Sequence, residues 1–169
     1  PMVNMHPMGQ HRVTIVVVLV AVLAAISIAR SAVFQNEITL YTDIVAKSPN
    51  KARPHNNLGE NLKKAGRIAE AQAHLERALV IDPNYPDALN NLATVYGSIG
   101  RRDEAISLLQ RSLTLNPAHL QARFNLAIHL YEHGMMSEAE QQFFTITTIA
   151  PQSKEAVFSF KMLQIIRGR

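Results

Sequence analysis

His129 and His133 in the stretch HLYEH stand one helical turn apart with Glu132 between them. At that spacing two imidazoles can hold a zinc ion and a carboxylate can serve as base. A catalytic zinc also needs a third protein ligand placed by the surrounding fold, and Gly134 ends the helix at once. Met2, Met5, Met8, His6 and His11 offer ligands for a soft metal, but a flexible leader also accounts for them. The sequence has no cysteine, which excludes a disulfide framework, a Cys-ligated zinc and a c-type haem attachment. It also lacks a glycine-rich phosphate loop, a Ser-His-Asp set and paired carboxylates in a plausible cleft. The expectation is a non-enzyme with no catalytic, cofactor-binding or metal site.

Amides remain as candidates for recognition. Asn57, Asn91 and Asn125 recur at intervals of 34 residues. Each amide offers a donor and an acceptor, which suits the backbone of an extended peptide without reading its side chains. A row of them requires elements repeated at the same interval, and these are present. Leu58, Leu92 and Leu126 keep the period, as do Gly66, Gly100 and Gly134, then Ala71, Ala105 and Ala139, then Pro83, Pro117 and Pro151. Ala71, Leu75, Ala78 and Leu79 follow three-to-four-residue steps, so they share one helical face. Each unit therefore reads as a helix, a turn at glycine, a second helix, and a stop before proline. The recurrent alanine lets the two antiparallel helices approach closely.

This order of residues resembles the tetratricopeptide repeat. The resemblance covers units 52–85, 86–119 and 120–153, with a closing helix at 154–169 that starts like a fourth. The usual tryptophan site holds His55, Leu89 and Arg123, and the usual aromatic is Tyr96 in one unit but Leu62 and Leu130 in the others. The resemblance implies an all-α, right-handed solenoid in which neighbouring units bury one another's apolar faces. With 169 residues, 47% of them hydrophobic, the chain holds one small repeat domain. The net charge of +4 is scattered. Lys63, Lys64 and Arg67 are matched by Glu60 and Glu70, and Arg101 and Arg102 by Asp103 and Glu104, so no nucleic-acid partner is expected.

After a leader at 1–12, Val13 to Ala29 carries no charge, at the short end of the roughly 17–25 residues that span a bilayer. It reads as one transmembrane anchor helix over 13–30. A cleaved signal peptide is the rival, with Ser27 and Ala29 as a small-x-small site. No Gly or Pro interrupts His11 to Ser48, so the helix can run on into a connecting segment at 31–49. One period back from the first unit, Pro49 aligns with Pro83, Tyr41 with Leu75 and Ile44 with Ala78. Phe34 to Lys47 thus resembles the second helix of a lost repeat and would cap the solenoid. An apolar helix followed by repeats also resembles the C-terminal end of polytopic glycosyltransferase-like membrane proteins. That resemblance implies a fragment of a larger enzyme with the repeats outside the cytoplasm.

Function then falls to the repeat surface. In tetratricopeptide domains the first helices line a concave groove, which implies an asparagine ladder of Asn57, Asn91 and Asn125 along it. The two-carboxylate clamp of chaperone-binding members is not reproduced, because the sites for its cations carry Asn56, Gln121 and Asn125. Groove sites that are Asn56, Glu60 and Lys63 in the first unit become Phe124, Ile128 and Tyr131 in the third, and Phe158 and Met162 continue the trend. These apolar residues and the ladder form the expected partner-binding site, with Phe144 on the other helix marking a second candidate face. The alternative is that the last helix folds across the groove and covers it. The expected partners are protein subunits of a membrane complex, for which the chain is a single-pass scaffold at the cell membrane. Alternatives are the repeat tail of a larger enzyme and a structural subunit of an assembly.

Overall fold

The computed structural model describes residues 7–168, with side chains described over 13–28 and 36–168. Among the described residues there are eight α-helices and no strand: α1 (Pro7–Lys47), α2 (Ala52–Lys64), α3 (Ile68–Ile81), α4 (Pro86–Ser98), α5 (Arg102–Leu115), α6 (Leu120–Glu132), α7 (Met136–Ile149) and α8 (Lys154–Arg167). The pairs α2/α3, α4/α5 and α6/α7 fall within the three units read from the sequence. The fold is an all-α helical repeat solenoid.

Glycine closes each pair. Gly66, Gly100 and Gly134 have φ of 77°, 82° and 85°, the left-handed region that a side chain disfavours. There the backbone N–H of Arg67, Arg101 and Met135 donates to the carbonyls of Leu62, Tyr96 and Leu130, each at 2.9 Å. These bonds satisfy carbonyls that a helix end would leave unpaired. Beyond the turn, Ala71, Ala105 and Ala139 are fully buried between paired helices. A Cβ added to Gly59 would lie 3.1 Å from the Ala71 carbonyl and against the Leu75 side chain, which shows how close α2 and α3 come.

The core forms two clusters joined by Tyr96 and Leu108. One gathers Leu58, Leu62, Leu75, Leu92 and Val95 with Ile38 of α1, and the other centres on Leu109, Leu126, Phe143 and Ile146. The C-terminal part of α1 therefore caps the stack, as its alignment with a second helix predicts. The same helix reaches back to Pro7 over 41 residues. It thereby enters the segment expected to be a flexible leader, which corrects the 1–12 boundary. Proline is compatible with a helix's first turn because the N–H it lacks has no intrahelical acceptor there, and residues 1–6 lie outside the described residues. Val13 to Ile28 is helical, and its large apolar side chains are exposed. Ala29 and Arg30, the end of the expected anchor, lie outside the described side chains. Among the described residues no helix is long and apolar enough to cross a membrane.

Candidate functional site

Successive first helices, α2, α4, α6 and α8, touch one another, whereas the second helices of neighbouring units do not. Tighter spacing on one side curves the stack, so the first helices form its concave layer. The closing helix α8 contacts only α6 and α7 among the described elements. It adds a further step to the solenoid and leaves the groove uncovered.

Asn57, Asn91 and Asn125 lie in that layer, and the latter two engage the unit before them. Asn91 Nδ2 donates to Asn56 Oδ1 at 3.0 Å, and Asn125 Nδ2 donates to Asn90 Oδ1 at 2.8 Å. Asn56 Nδ2 in turn donates to Asn57 Oδ1 at 3.3 Å, and Gln121 Nε2 to Asn125 Oδ1 at 3.2 Å. The acceptors Asn56 and Asn90 are 4% and 6% exposed, so these bonds stitch units together below the surface. Periodicity alone missed this pairing, although the doublets Asn56-Asn57 and Asn90-Asn91 carry its signal. In the third unit Phe124 replaces the acceptor. The residue that would donate to it from α8 is Ser159, whose Oγ is buried with no partner among the described residues.

Above the stitched amides lies a polar hollow of about 310 Å³, bounded by Arg53, Asn57, Glu60, Asp87, His119 and Gln121 among others. Farther along α2, Lys63 Nζ donates to Thr94 Oγ1 at 2.8 Å. Burial pushes the Lys63 ammonium below its usual pKa, against the pull of Glu60. The opposite end of the layer is apolar. Phe124 and Phe158 meet edge to face at 5.4 Å between ring centroids, and Phe158 also tilts against Phe143 at 6.5 Å. Phe124, Ile128 and Tyr131 are half-buried and pack on the core, and Phe158 remains 42% exposed. Met162 is buried in that core, so of the five apolar residues it offers a partner the least. Phe144 stands exposed on α7.

The histidine pair lies elsewhere. His129 packs over Gly97, where a Cβ would overlap its ring, while His133 Nε2 lies 3.5 Å from Asp103. The two rings thus face different neighbours. Burial holds the His129 pKa below the usual range, only partly offset by Glu132.

A tetratricopeptide repeat family model matches residues 52–118 and a second matches 98–161, together spanning all three units and most of α8. The chain belongs to the tetratricopeptide repeat family. Among solved structures, the tetratricopeptide solenoid is similar to MamA, with 21% identity and a TM-score of 0.71, covering 80% of this chain and 77% of that one. It is similar to TTC0263, a thermophilic tetratricopeptide protein of Thermus thermophilus, with 22% identity, a TM-score of 0.70 and 78% and 74% covered. It is also similar to the first tetratricopeptide domain of Spaghetti (RPAP3) bound to an HSP90 peptide, with 20% identity, a TM-score of 0.65 and 70% and 91% covered. At these identities the likeness is one of fold. No curated protein sequence matches the chain.

Proposed function

We propose that this chain is a non-catalytic, membrane-anchored scaffold whose tetratricopeptide repeats hold a protein subunit of an envelope complex. The observation that carries the reading is the change along the concave layer, from an amide-lined hollow at α2 and α4 to the Phe124–Phe158 pair at α6 and α8. Exposed aromatic surface of this kind anchors protein contacts. An apolar segment of the partner docks on Phe124, Ile128, Tyr131 and Phe158, and its backbone continues over the polar hollow. The RPAP3 domain takes an HSP90 peptide. A chaperone tail of that acidic kind is disfavoured here, because Asn56 and Asn125 stand at expected cation sites and their amides engage Asn91 and Asn90.

Capture of the partner from gently solubilised membranes tests the groove. The double variant Phe124→Ser/Tyr131→Ser, and separately Phe158→Ser, should lose the partner while far-ultraviolet circular dichroism is unchanged. Retention of the partner by both folded variants would move the contact to the outer face around Phe144.

The anchor in this reading is the segment Val13–Ala29. Its support is the exposed apolar side of α1, including Leu19, Val20 and Leu23, which no part of the solenoid covers. Full-length chain should stay with membranes through carbonate extraction, and its release would remove the anchor from the proposal. The repeats lie on the extracytoplasmic side. In spheroplasts, added protease should cut them, and protection would reverse the orientation.

A further inference from the structure

Between the first and second units, one aromatic side chain fills the junction. Tyr96 packs against both core clusters, and its hydroxyl donates to Glu76 Oε1 on α3 at 3.1 Å. The Arg101 guanidinium lies over its ring, 3.9 Å from the centroid. Glu104 holds that guanidinium in place, accepting from Arg101 Nη2 at 2.7 Å. Ring, hydroxyl and cation together form a plug between α3 and α5.

One period on, the plug is missing while the groups that receive it stay. Leu130 stands in place of Tyr96, Met135 in place of Arg101 and Gln142 in place of Leu108. Gln110 replaces Glu76 with another side-chain acceptor, and Glu138 keeps the carboxylate of Glu104. Glu70 and Glu104 each pair with an arginine three residues before them, whereas Glu138 has no ion-pair partner among the described residues.

The helices α5 and α7 do not touch. A hollow of about 420 Å³ lies there, bounded by Gln110, Arg123, Leu130, Met135, Glu138 and Gln142 among others. Arg123, the cation beside it, is engaged elsewhere: its Nη1 donates to Gln142 Oε1 at 2.9 Å and its Nη2 to the Pro117 carbonyl at 2.6 Å. The hollow therefore offers an apolar floor of Leu130 and the Met135 thioether, which suits an aromatic ring. It also offers an acceptor at Gln110 and a free negative charge at Glu138, both exposed.

We propose that this hollow receives a tyrosine and an adjacent arginine of a protein partner, which supply from outside what Tyr96 and Arg101 supply within the chain. Leu130 and Met135 carry the ring, Gln110 Oε1 accepts from its hydroxyl, and Glu138 selects the guanidinium by charge. The site lies between second helices, away from the concave layer. It shares no residue with the amide hollow or with Phe124, Ile128, Tyr131 and Phe158, and it is independent of the groove reading.

The probe is the blocked dipeptide N-acetyl-Tyr-Arg-amide, titrated calorimetrically into the full-length chain in detergent micelles, with empty micelles as the blank. It should bind about two- to tenfold more tightly than N-acetyl-Phe-Arg-amide, which lacks the hydroxyl, and than N-acetyl-Tyr-Gln-amide, which lacks the charge. Gln110→Ala should remove the first preference and Glu138→Gln the second, each leaving the other in place. The double variant Leu130→Tyr/Met135→Arg rebuilds the plug of the preceding junction and should lose binding of all three peptides while its circular dichroism is unchanged. No binding of N-acetyl-Tyr-Arg-amide, equal binding of the three peptides, or preferences unmoved by Gln110→Ala and Glu138→Gln would each overturn the proposal. Tyramine bound more tightly than the dipeptide would assign the hollow to a free aromatic amine and overturn the protein source.

Discussion

Asn56 accepts from Asn91 where both are buried, so removing the donor takes from that carbonyl oxygen its partner on the next unit. Asn91→Ala should cost about 1–3 kcal/mol in urea denaturation. Replacing both residues by leucine should cost less than the sum of the two single leucine changes, because neither is then left unpaired. Strict additivity of the two changes would separate the amides energetically. His55 and His74 pair more conditionally. His55 Nε2 lies 3.1 Å from the Pro49 carbonyl, which can only accept, so His55 donates there. Its Nδ1 then accepts from His74 Nδ1 at 3.0 Å. Burial, reinforced by the neighbouring His55, holds the His74 pKa below 6.5. The folded state thus favours neutral His74. That stability is present above pH 6.5 and is lost as pH falls through the depressed folded value. Denaturation midpoints should drop from about pH 7.5 to about 5.5, and His74→Ala should reduce the drop. An unchanged slope with pH in that variant would assign the effect to other groups such as His129, whose pKa is also lowered by burial.

At the scale of helices, the recurrent small residues set the distance between paired elements. Ala105 is fully buried and Ser107, two residues on, is exposed, as the repeat register predicts. Ala105→Leu should therefore destabilise by about 1–3 kcal/mol through overpacking, whereas Ser107→Leu should change the melting temperature little. Equal melting temperatures would contradict the register. Helix ends were legible because their causes are local. A glycine at positive φ and a proline after the second helix act within a few residues. The N-terminal boundary was less legible because Pro7 and the residues after it are compatible with either a leader or a helix start, and composition alone does not choose between them.

The whole molecule is a stack in which each helix contacts its near neighbours in the chain order. Stability in such a stack is close to a sum of units and their interfaces. Ile38 of α1 is 5% exposed and packs on the first unit. Ile38→Ser should accordingly speed amide hydrogen exchange in α2 and α3 and leave α6 to α8 nearly unchanged. Uniform acceleration across all helices would indicate a single cooperative unit. The division between sequence and structure follows the same logic of distance. Periodicity by itself determined the three units, their turns, the capping role of residues before Pro49 and the placing of Asn57, Asn91 and Asn125 on one layer, because helical faces and turn chemistry depend on residues close in the chain. Only the tertiary structure decided that Asn91 reaches Asn56, that His129 settles over Gly97, that Met162 is core while Phe158 is open, and that α8 extends the stack without crossing the groove. Those outcomes depend on how far one unit is translated and rotated onto the next, which is set by side-chain volumes meeting across helices.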